Sequence, residues 1–417
     1  MNINLRFAMH RDIPLIHTEA TKIDGLVIPG HILAYQSAPT SVFVSSMPEH
    51  EYIIDPMTFI FQHPKSSNVN EAGELRRSIC RMCEEYHEDL AGILEGLDID
   101  QRMRPSDFPT LNDFCVGIVS FQRDVVREKS TTSKASKYIS RYGRQTPTEP
   151  RFVVAPYFKF ESVGDEWYQF SLRCAQETQR ICDNDSIGVV IYCSANSLNI
   201  EAISRIGADY QQFNHILIWL DDFNEAAISV ENIVEARRLI NVLARNEAEV
   251  ESLYGGYLLM LMESEGLNGI SHGILYTQHK RFSVLPGGGG APERYYIPKF
   301  KAFRSLSQTD LIIHKHPELI CRCEVCEEVI GGNADRIIMF GDEPDLLRGH
   351  FITVRYQEAQ AMPDMNRDEE IERLRETYEM YDESIRMLPN PDAFVSSSRM
   401  RGLEYLYIWT QGLEHTI

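Results

Sequence analysis

Short apolar runs alternate with amphipathic segments along most of this chain. Runs that are nearly all apolar are typical of strands covered on both faces. The runs that predict strands are GLVIPGHIL (25–33), EYIIDP (51–56), RFVVAPYF (151–158), SIGVVIYCS (186–194), HILIWLDDF (215–223), SLYGGYLL (252–259) and NGISHGIL (268–275). The segments 70–94 and 229–251 have helical spacing, and 114–126 is assigned to a helix because polar residues follow it without a turn signal. The alternation indicates βα units around a parallel sheet.

Seven predicted strands, with an N-terminal one easily missed, favour an α/β fold built on an eight-stranded (β/α) barrel of the TIM type. An open doubly wound sheet is the alternative, but no G-x-G-x-x-G follows any predicted strand. We expect the barrel to cover residues 1–281, with a basic insertion near 127–145. A glycine-rich loop and a zinc-binding subdomain would follow at 282–355, and a helical tail at 356–417.

Two segments beyond the barrel have a distinct composition. Four consecutive glycines at 287–290 cost too much backbone entropy for a helix or strand, and they predict either a mobile loop or a loop that covers substrate. The charged segment 364–389 predicts an exposed helix with Glu/Arg pairs at helical spacing, which faces solvent or a partner.

Composition points to a soluble cytoplasmic protein. No apolar stretch reaches the roughly 18 residues that a membrane span needs, and the N-terminus lacks the features of a signal peptide. Nine cysteines, an odd number, favour a reducing compartment. The net charge of −20 opposes nucleic-acid binding through the overall field, so such binding would need a helper protein or a local basic face. The segment 127–145 is the candidate face, and the alternative is a solvated loop; its cations include Lys134, Lys137, Arg141 and Arg144.

A cysteine cluster predicts a metal site. Cys321, Cys323 and Cys326 form C-x-C-x2-C, and His350 follows after 23 further residues. Three thiolates and one imidazole complete a tetrahedral zinc and leave no open position, which is typical of a structural site with one zinc per chain. His314 and His316 are alternative fourth ligands, and ordinary surface thiols are the alternative to a metal site.

Acidic residues follow two of the predicted strands. Catalytic groups of (β/α) barrels lie at the carboxyl ends of strands, so Asp55 is a candidate general acid/base, or else an Asp-Pro turn residue. Asp221 and Asp222 end the most apolar run. Adjacent residues point to opposite sides of a strand, so at most one of these two carboxylates faces the barrel mouth.

Other residues near strand ends are candidate contacts to a flat ligand. Glycines allow close backbone approach, aromatic rings stack on bases, and polar groups read their edges. The candidates are Phe59, Gln62, Tyr157, Gly255, Gly256, Tyr257, Ser271 and His272. Packing in the core is the alternative for the aromatic residues and for His272.

Three of these segments resemble one family over roughly residues 20–355. CRCEVC with a distant His350 resembles the zinc subdomain of the tRNA-guanine transglycosylases, EYIIDPMTFIFQ resembles their strand ending in an Asp, and EGLNGISHGILY resembles their last barrel strand. The run PERYYIPKFKAFRSLSQTDLIIHKHPELICRCEVC is still closer to the paralogues that insert 7-deazaguanines into DNA (the DpdA group). The tRNA enzymes carry their nucleophilic Asp in the final strand, where this chain has Ser271 and His272.

The resemblance implies base exchange. A carboxylate attacks the anomeric carbon of a guanosine nucleotide, guanine leaves, and a 7-deazaguanine of the 7-cyano type displaces the enzyme. Asp222 or Asp221 would be the nucleophile and Asp55 the acid/base. We expect DNA as the substrate, with tRNA as the alternative. A catalytically silent subunit that binds nucleic acid or a partner is the third possibility.

Overall fold

A computed structural model describes residues 1–142, 146–183, 186–274, 278–283, 293–389 and 402–417. Its strands are β1 (Asn2–Arg6), β2 (Gly25–Pro29), β3 (Glu51–Asp55), β4 (Val153–Val154), β5 (Lys159–Phe160), β6 (Ile187–Ser194), β7 (His215–Asp221), β8 (Glu249–Ser252), β9 (Leu267–Gly273), β10 (Arg294–Ile297) and β11 (Ala302–Ser305). Its α-helices are α1 (Ile13–Thr18), α2 (Gly30–Tyr35), α3 (Ser37–Ser45), α4 (Arg77–Tyr86), α5 (Asp89–Gly96), α6 (Leu111–Ser130), α7 (Ser136–Tyr142), α8 (Glu166–Cys182), α9 (Ile200–Tyr210), α10 (Val230–Ala244), α11 (Tyr257–Met260), α12 (Leu306–Lys315), α13 (Glu324–Val329), α14 (Pro344–Ala361), α15 (Arg367–Arg386) and α16 (Glu404–Glu414).

The first nine strands form a nearly closed parallel barrel. Their order is β3-β2-β1-β9-β8-β7-β6-β4, and the short β5 continues the path of β4 along β6. The last strand pairs with the first, with Asn4 opposite Ser271 and Arg6 opposite Gly273. Between β3 and β4, the Arg151 N–H donates to the Tyr52 carbonyl at 2.8 Å. The strands thus occupy eight positions, and their carboxyl ends meet at one end of the barrel, which we call the mouth.

Several strand predictions are confirmed, and others need correction. The run 151–158 contains only the two-residue β4, and β5 follows it. β1 was missed because apolar and polar residues alternate in its sequence, NINLR, which leaves no continuous apolar run. The run 25–33 is a strand only to Pro29, where α2 begins. The prediction of a strand at 252–259 is wrong, because β8 is Glu249–Ser252 and the apolar residues after it form a buried turn and α11. β8 escaped notice because Glu251 points inward, where Arg151 and Asn4 hold its carboxylate.

The helix predictions hold with altered boundaries. The segment 114–126 lies within α6, as predicted, whereas 70–94 contains two helices, α4 and α5. The predicted helix at 229–251 ends at Ala244, because the chain enters β8 at Glu249. None of the described helices combines the length and apolar character that a membrane crossing requires.

The C-terminal region packs against the barrel with a helical layer. The predicted helix at 364–389 is confirmed as α15, but it is not exposed all round. Ile371, Leu374, Tyr381 and Ile385 are buried, a spacing hidden among the charges of the sequence. α16 covers this face, and the Trp409 indole donates to the Glu225 carbonyl at 2.7 Å. The predicted domain boundary at 355 falls inside α14, and the four glycines at 287–290 lie outside the described residues.

Candidate active site and metal centre

Asp55 lies at the floor of the barrel mouth. It ends β3, and its carboxylate accepts hydrogen bonds from Arg6 Nη1 at 2.8 Å, Tyr157 Oη at 2.7 Å and the Met57 N–H at 2.9 Å. The residue is only 1% exposed. Burial, followed by the charge of Asp55, raises the pKa of Tyr157 well above its ordinary value, so the phenol stays protonated and donates. The mouth therefore contains a buried carboxylate held by a cation and a phenol.

Aromatic rings form the wall above this carboxylate. The Tyr192 and Trp219 rings stack with centroids 3.8 Å apart, and Phe59 meets Trp219 edge-on at 4.8 Å. The Arg6 guanidinium lies over the Tyr254 ring, 4.3 Å from its centroid. Among the described residues, Tyr192 Oη and Arg6 Nη2 are buried without a hydrogen-bond partner. Tyr192 belongs to the aromatic wall and Arg6 contacts Asp55, so a polar ligand in the mouth can pair with these two atoms.

A cleft of about 650 Å³ opens beside this wall. It is lined by residues that follow β2, β3 and β9, among them His31, Phe59, His63, Asn68, Arg76 and Lys280. Burial lowers the pKa values of His31 and His63 to about 4 each, so both imidazoles are neutral at pH 7. The cleft is large enough for a nucleobase and its sugar.

Asp221, the last residue of β7, and Asp222, the first residue after it, point in different directions. Asp221 is buried, forms an ion pair with Lys159 at 2.8 Å and accepts from the Phe282 N–H at 2.8 Å. Asp222 has a left-handed backbone (φ 62°), its side chain is 47% exposed, and Arg281 lies 3.3 Å away. Both carboxylates thus contact residues 278–283, which we call the mouth segment.

The polar residues of β9 are placed on opposite sides of the strand. Ser271 pairs with Asn4 in register, and its hydroxyl donates to the Leu253 carbonyl at 2.6 Å. His272 lies edge-on to Phe351 of α14 with ring centroids 4.9 Å apart, so it packs outside the barrel. Burial lowers the pKa of His272 to about 3, which makes it a neutral core histidine.

Several predicted ligand contacts are engaged elsewhere. The Gln62 amide donates to the Lys159 carbonyl and accepts from its N–H, which links the end of β3 to β5. Tyr257 lies away from the mouth aromatics, and its hydroxyl donates to Glu370 of α15 at 2.7 Å.

The two glycines after β8 have structural reasons of their own. A Cβ on Gly256 would lie 2.4 Å from the Glu225 carboxylate, which accepts from the Gly256 N–H at 2.8 Å. A Cβ on Gly255 would lie 3.1 Å from the side chain of Ile270. The glycines at these positions therefore make room for the side chains of Glu225 and Ile270.

The basic segment packs on the outside of the helical layer, where α7 lies against α3 and Ala135 is buried with Ala38 and Val42. α6 returns the chain from the end of β3 toward the start of β4, and the segment follows α6 before β4 begins. Lys134, Lys137 and Arg141 are exposed there, and Arg144 lies outside the described residues. Lys137 Nζ lies over the Tyr138 ring at 4.6 Å and the Arg141 guanidinium over Tyr142 at 5.3 Å.

The four predicted metal ligands come together. One donor atom from each of Cys321, Cys323, Cys326 and His350 lies within 4.8 Å of the others, and the group could hold a metal ion. His350 Nδ1 is 3.3 Å from the sulfurs of both Cys323 and Cys326. These separations suit a tetrahedral ion with ligand bonds of about 2.0–2.3 Å. The alternative histidines bind elsewhere: His314 contacts Asp335 at 2.8 Å, and His316 contacts Ser384 at 2.6 Å.

Neighbouring groups orient the histidine for this purpose. His350 Nε2 lies 2.8 Å from the Tyr296 carbonyl, to which it donates, so the lone pair of Nδ1 faces the sulfurs. The Tyr295 ring stacks on the imidazole at 4.3 Å, and its hydroxyl lies 3.1 Å from Cys326 Sγ. β10 therefore supplies two consecutive residues that support the metal ligand. The donor set is compatible with zinc.

The sequence matches no model of a known protein family, and a search of curated proteins finds no match. The sequence analysis missed Arg6, Trp219, Tyr254 and Lys280. The inward position of Arg6 follows from the alternation of β1, but its partner Asp55 is 49 residues away and no sequence pattern connects them.

Proposed function

We propose that this chain is a TIM-type (β/α) barrel enzyme that exchanges guanine in DNA for a 7-deazaguanine of the 7-cyano type. The observation that carries the proposal is the buried Asp55, set below aromatic rings and beside a nucleotide-sized cleft at the carboxyl ends of parallel strands. The family resemblance of the strand that ends in Asp55 points to the same chemistry.

The surroundings of Asp55 suit proton transfer to and from a base. Arg6 keeps the carboxylate in place, and the Tyr157 hydroxyl at 2.7 Å supplies a second exchangeable proton. Base exchange needs such a group, because the leaving guanine gains a proton and the entering base loses one. The Phe59, Tyr192 and Trp219 rings offer faces and edges against which a planar base can pack.

The substrate must bring its base out of a helical stack to reach the mouth. Arg76 and Lys280 line the cleft and can face a phosphate or an exocyclic oxygen. Because the chain carries a net charge of −20, binding would depend on such local cations or on a helper protein. A tRNA substrate would make the same demands on the site.

A catalytically silent nucleic-acid-binding subunit is the second candidate. Ser271 stands where the tRNA enzymes carry their nucleophile, and Asp221 is neutralised by Lys159 at 2.8 Å. An ion-paired carboxylate is a weak nucleophile, and Asp222 points to solvent. These two observations favour a chain that has kept the fold without the predicted Asp nucleophile.

We propose zinc as the metal of the Cys₃His group. Bound there, zinc would supply structural stabilisation rather than chemistry, because four protein ligands complete its tetrahedron. Cys321, Cys323, Cys326 and His350 would together fix the segment after α12 to α14. The metal centre and the mouth are therefore assigned separate roles.

Nucleoside mass spectrometry of cellular DNA and tRNA tests the proposal. Cells that express the protein, supplied with any partner encoded beside it, should contain a 7-deazaguanine deoxynucleoside in DNA that is absent from cells without it. Asp55→Asn, expressed as soluble folded protein, should abolish this signal. A signal in tRNA alone would identify the tRNA enzyme, and no signal in either nucleic acid would favour the silent subunit.

A further inference from the structure

The mouth segment is fixed across the barrel end. The Trp219 indole donates to the Lys280 carbonyl at 3.0 Å, and the Phe282 N–H donates to Asp221 at 2.8 Å. The Phe282 ring stacks on His63 with centroids 4.4 Å apart. These contacts anchor the backbone at the Lys280 carbonyl and at Phe282, two residues later, which holds Lys280 over the mouth.

The Lys280 amine lies inside the mouth. Its Nζ is 5.1 Å from the Phe59 ring centroid, 5.6 Å from that of Trp219 and 6.0 Å from that of Tyr254. The same residue lines the cleft. Ring faces hold the amine, and the charges that act on it are those of Arg6 and Asp55.

The charge state of this amine follows from its neighbours. Burial, followed by the Arg6 charge, lowers the pKa of Lys280 to about 8, and Asp55 opposes the shift. The histidines that face the amine, His31 and His63, are themselves neutral. A minor fraction of the amine is therefore neutral at pH 7, far more than for a lysine with the ordinary pKa of 10.5, and this fraction is available as a nucleophile.

We propose that Lys280 is the covalent nucleophile of this site and attacks the anomeric carbon of the substrate nucleotide. The inference rests on the proposed function and replaces the predicted Asp nucleophile. Asp221 is occupied by Lys159 and the Phe282 N–H, and the Ser271 hydroxyl donates to a backbone carbonyl. Lys280 follows β9, the last barrel strand, and its amine interacts with Asp55 in the mouth.

The chemistry balances without a further reactant. The Nζ lone pair forms a bond to C1′ as the C1′–N9 bond breaks, and guanine leaves with that electron pair. Nζ loses one proton and N9 gains one, with Asp55 as the relay. The N-glycosyl amine can open reversibly to an imine with the sugar O4′ protonated; before exchange the ring closes again, the O4′–C1′ bond re-forms and the O4′ proton returns to Nζ. The entering 7-deazaguanine then bonds to C1′, loses its proton, and returns the lysine to its amine form as the C1′–Nζ bond breaks.

Borohydride trapping tests this assignment. The probe is a single-stranded oligodeoxynucleotide with one apurinic site, whose C1′ is an aldehyde. An amine condenses with it to an imine and water, and borohydride reduces the imine to a stable secondary amine. Wild-type protein should form a covalent adduct that peptide mapping places on Lys280. Lys280→Gln should lose the adduct, whereas Lys299→Gln should keep it, because Lys299 lies over the Tyr381 ring of α15, 5.0 Å from its centroid.

Each contrary result has a clear meaning. No wild-type adduct, or equal adducts in wild type and Lys280→Gln, would overturn the proposal. Base exchange that persists in Lys280→Gln would also overturn it, and faster exchange would show that the mouth segment only blocks the site. The apurinic probe needs no base removal, so a Lys280 adduct without base exchange would sink the proposed function and leave the nucleophile assignment standing.

Discussion

Replacing Asp55 by Asn should destabilise the fold as well as remove the proposed acid/base. The change keeps the side-chain volume but removes the charge that balances Arg6, whose guanidinium is 2.8 Å away and 6% exposed as a residue. The Asn side-chain amide also carries an N–H donor. If this N–H faces Arg6, two donors meet and no hydrogen bond forms between them. Asp55 accepts from three donors with two carboxylate oxygens. Asn has one acceptor oxygen, so it cannot replace all three hydrogen bonds.

The magnitude follows from the burial of both partners. Breaking a buried ion pair by removing one charge costs about 3–5 kcal/mol, because the other charge stays buried without compensation. We therefore expect Asp55→Asn to lower the free energy of unfolding by that amount. Arg6→Met in the same background should recover part of the loss, because it removes the orphaned charge, so the two single changes should not be additive.

Urea denaturation followed by circular dichroism measures these differences. Asp222→Asn is the matched control: its carboxylate is 47% exposed with Arg281 at 3.3 Å, so the change should stay within about 0.5 kcal/mol. An Asp55→Asn protein as stable as the control would refute the buried ion pair. Activity assays of Asp55→Asn should therefore be run at a temperature and in a buffer in which circular dichroism shows that the variant is folded.

Three further predictions concern the metal, the mouth lysine and the basic segment. Purified protein should contain one zinc per chain by elemental analysis, and Cys323→Ser should lose the metal and melt at a lower temperature; zinc-free wild type would contradict the site. Lys280→Met should stabilise the fold by up to about 3 kcal/mol at pH 7, because the partly buried ammonium has its pKa lowered from 10.5 to about 8. Between pH 8 and 10.5 the folded wild type binds fewer protons than its unfolded chain, so the stability of the wild type rises with pH. The stability difference between Lys280→Met and wild type should therefore shrink over this range, and a difference that does not change with pH would contradict the lowered pKa of Lys280. Neutralising the basic segment should flatten the salt dependence of DNA binding by about 0.9 per phosphate contact, and an unchanged slope would move the docking face elsewhere; the positions are Lys134, Lys137, Arg141 and Arg144.

The parallel barrel could be predicted because most of its strands are continuous apolar runs. β1 and β8 could not, because each is short and carries inward polar residues such as Asn4 and Glu251. These residues are explained only by the closed barrel, in which β8 pairs with β9 and β9 with β1.

In the two candidate sites, residues with a local sequence signal could be predicted, and residues brought in by distant segments could not. The four residues that could hold a metal ion were predicted because three of them lie within six residues and His350 was preferred over the nearby His314 and His316. Asp55 was found because it ends an apolar run. Arg6 and Lys280 were not, because barrel closure alone brings the first strand and the segment after the last strand to Asp55.

Guanine exchange by the purified protein tests the central claim most directly. Protein, any partner, isotope-labelled guanine and guanine-containing oligodeoxynucleotide or tRNA are incubated together, and label in the nucleic acid is counted. The account predicts label in DNA with wild type and none with folded Asp55→Asn. No label in DNA or tRNA with zinc-loaded wild type would contradict a transglycosylase and leave the silent subunit.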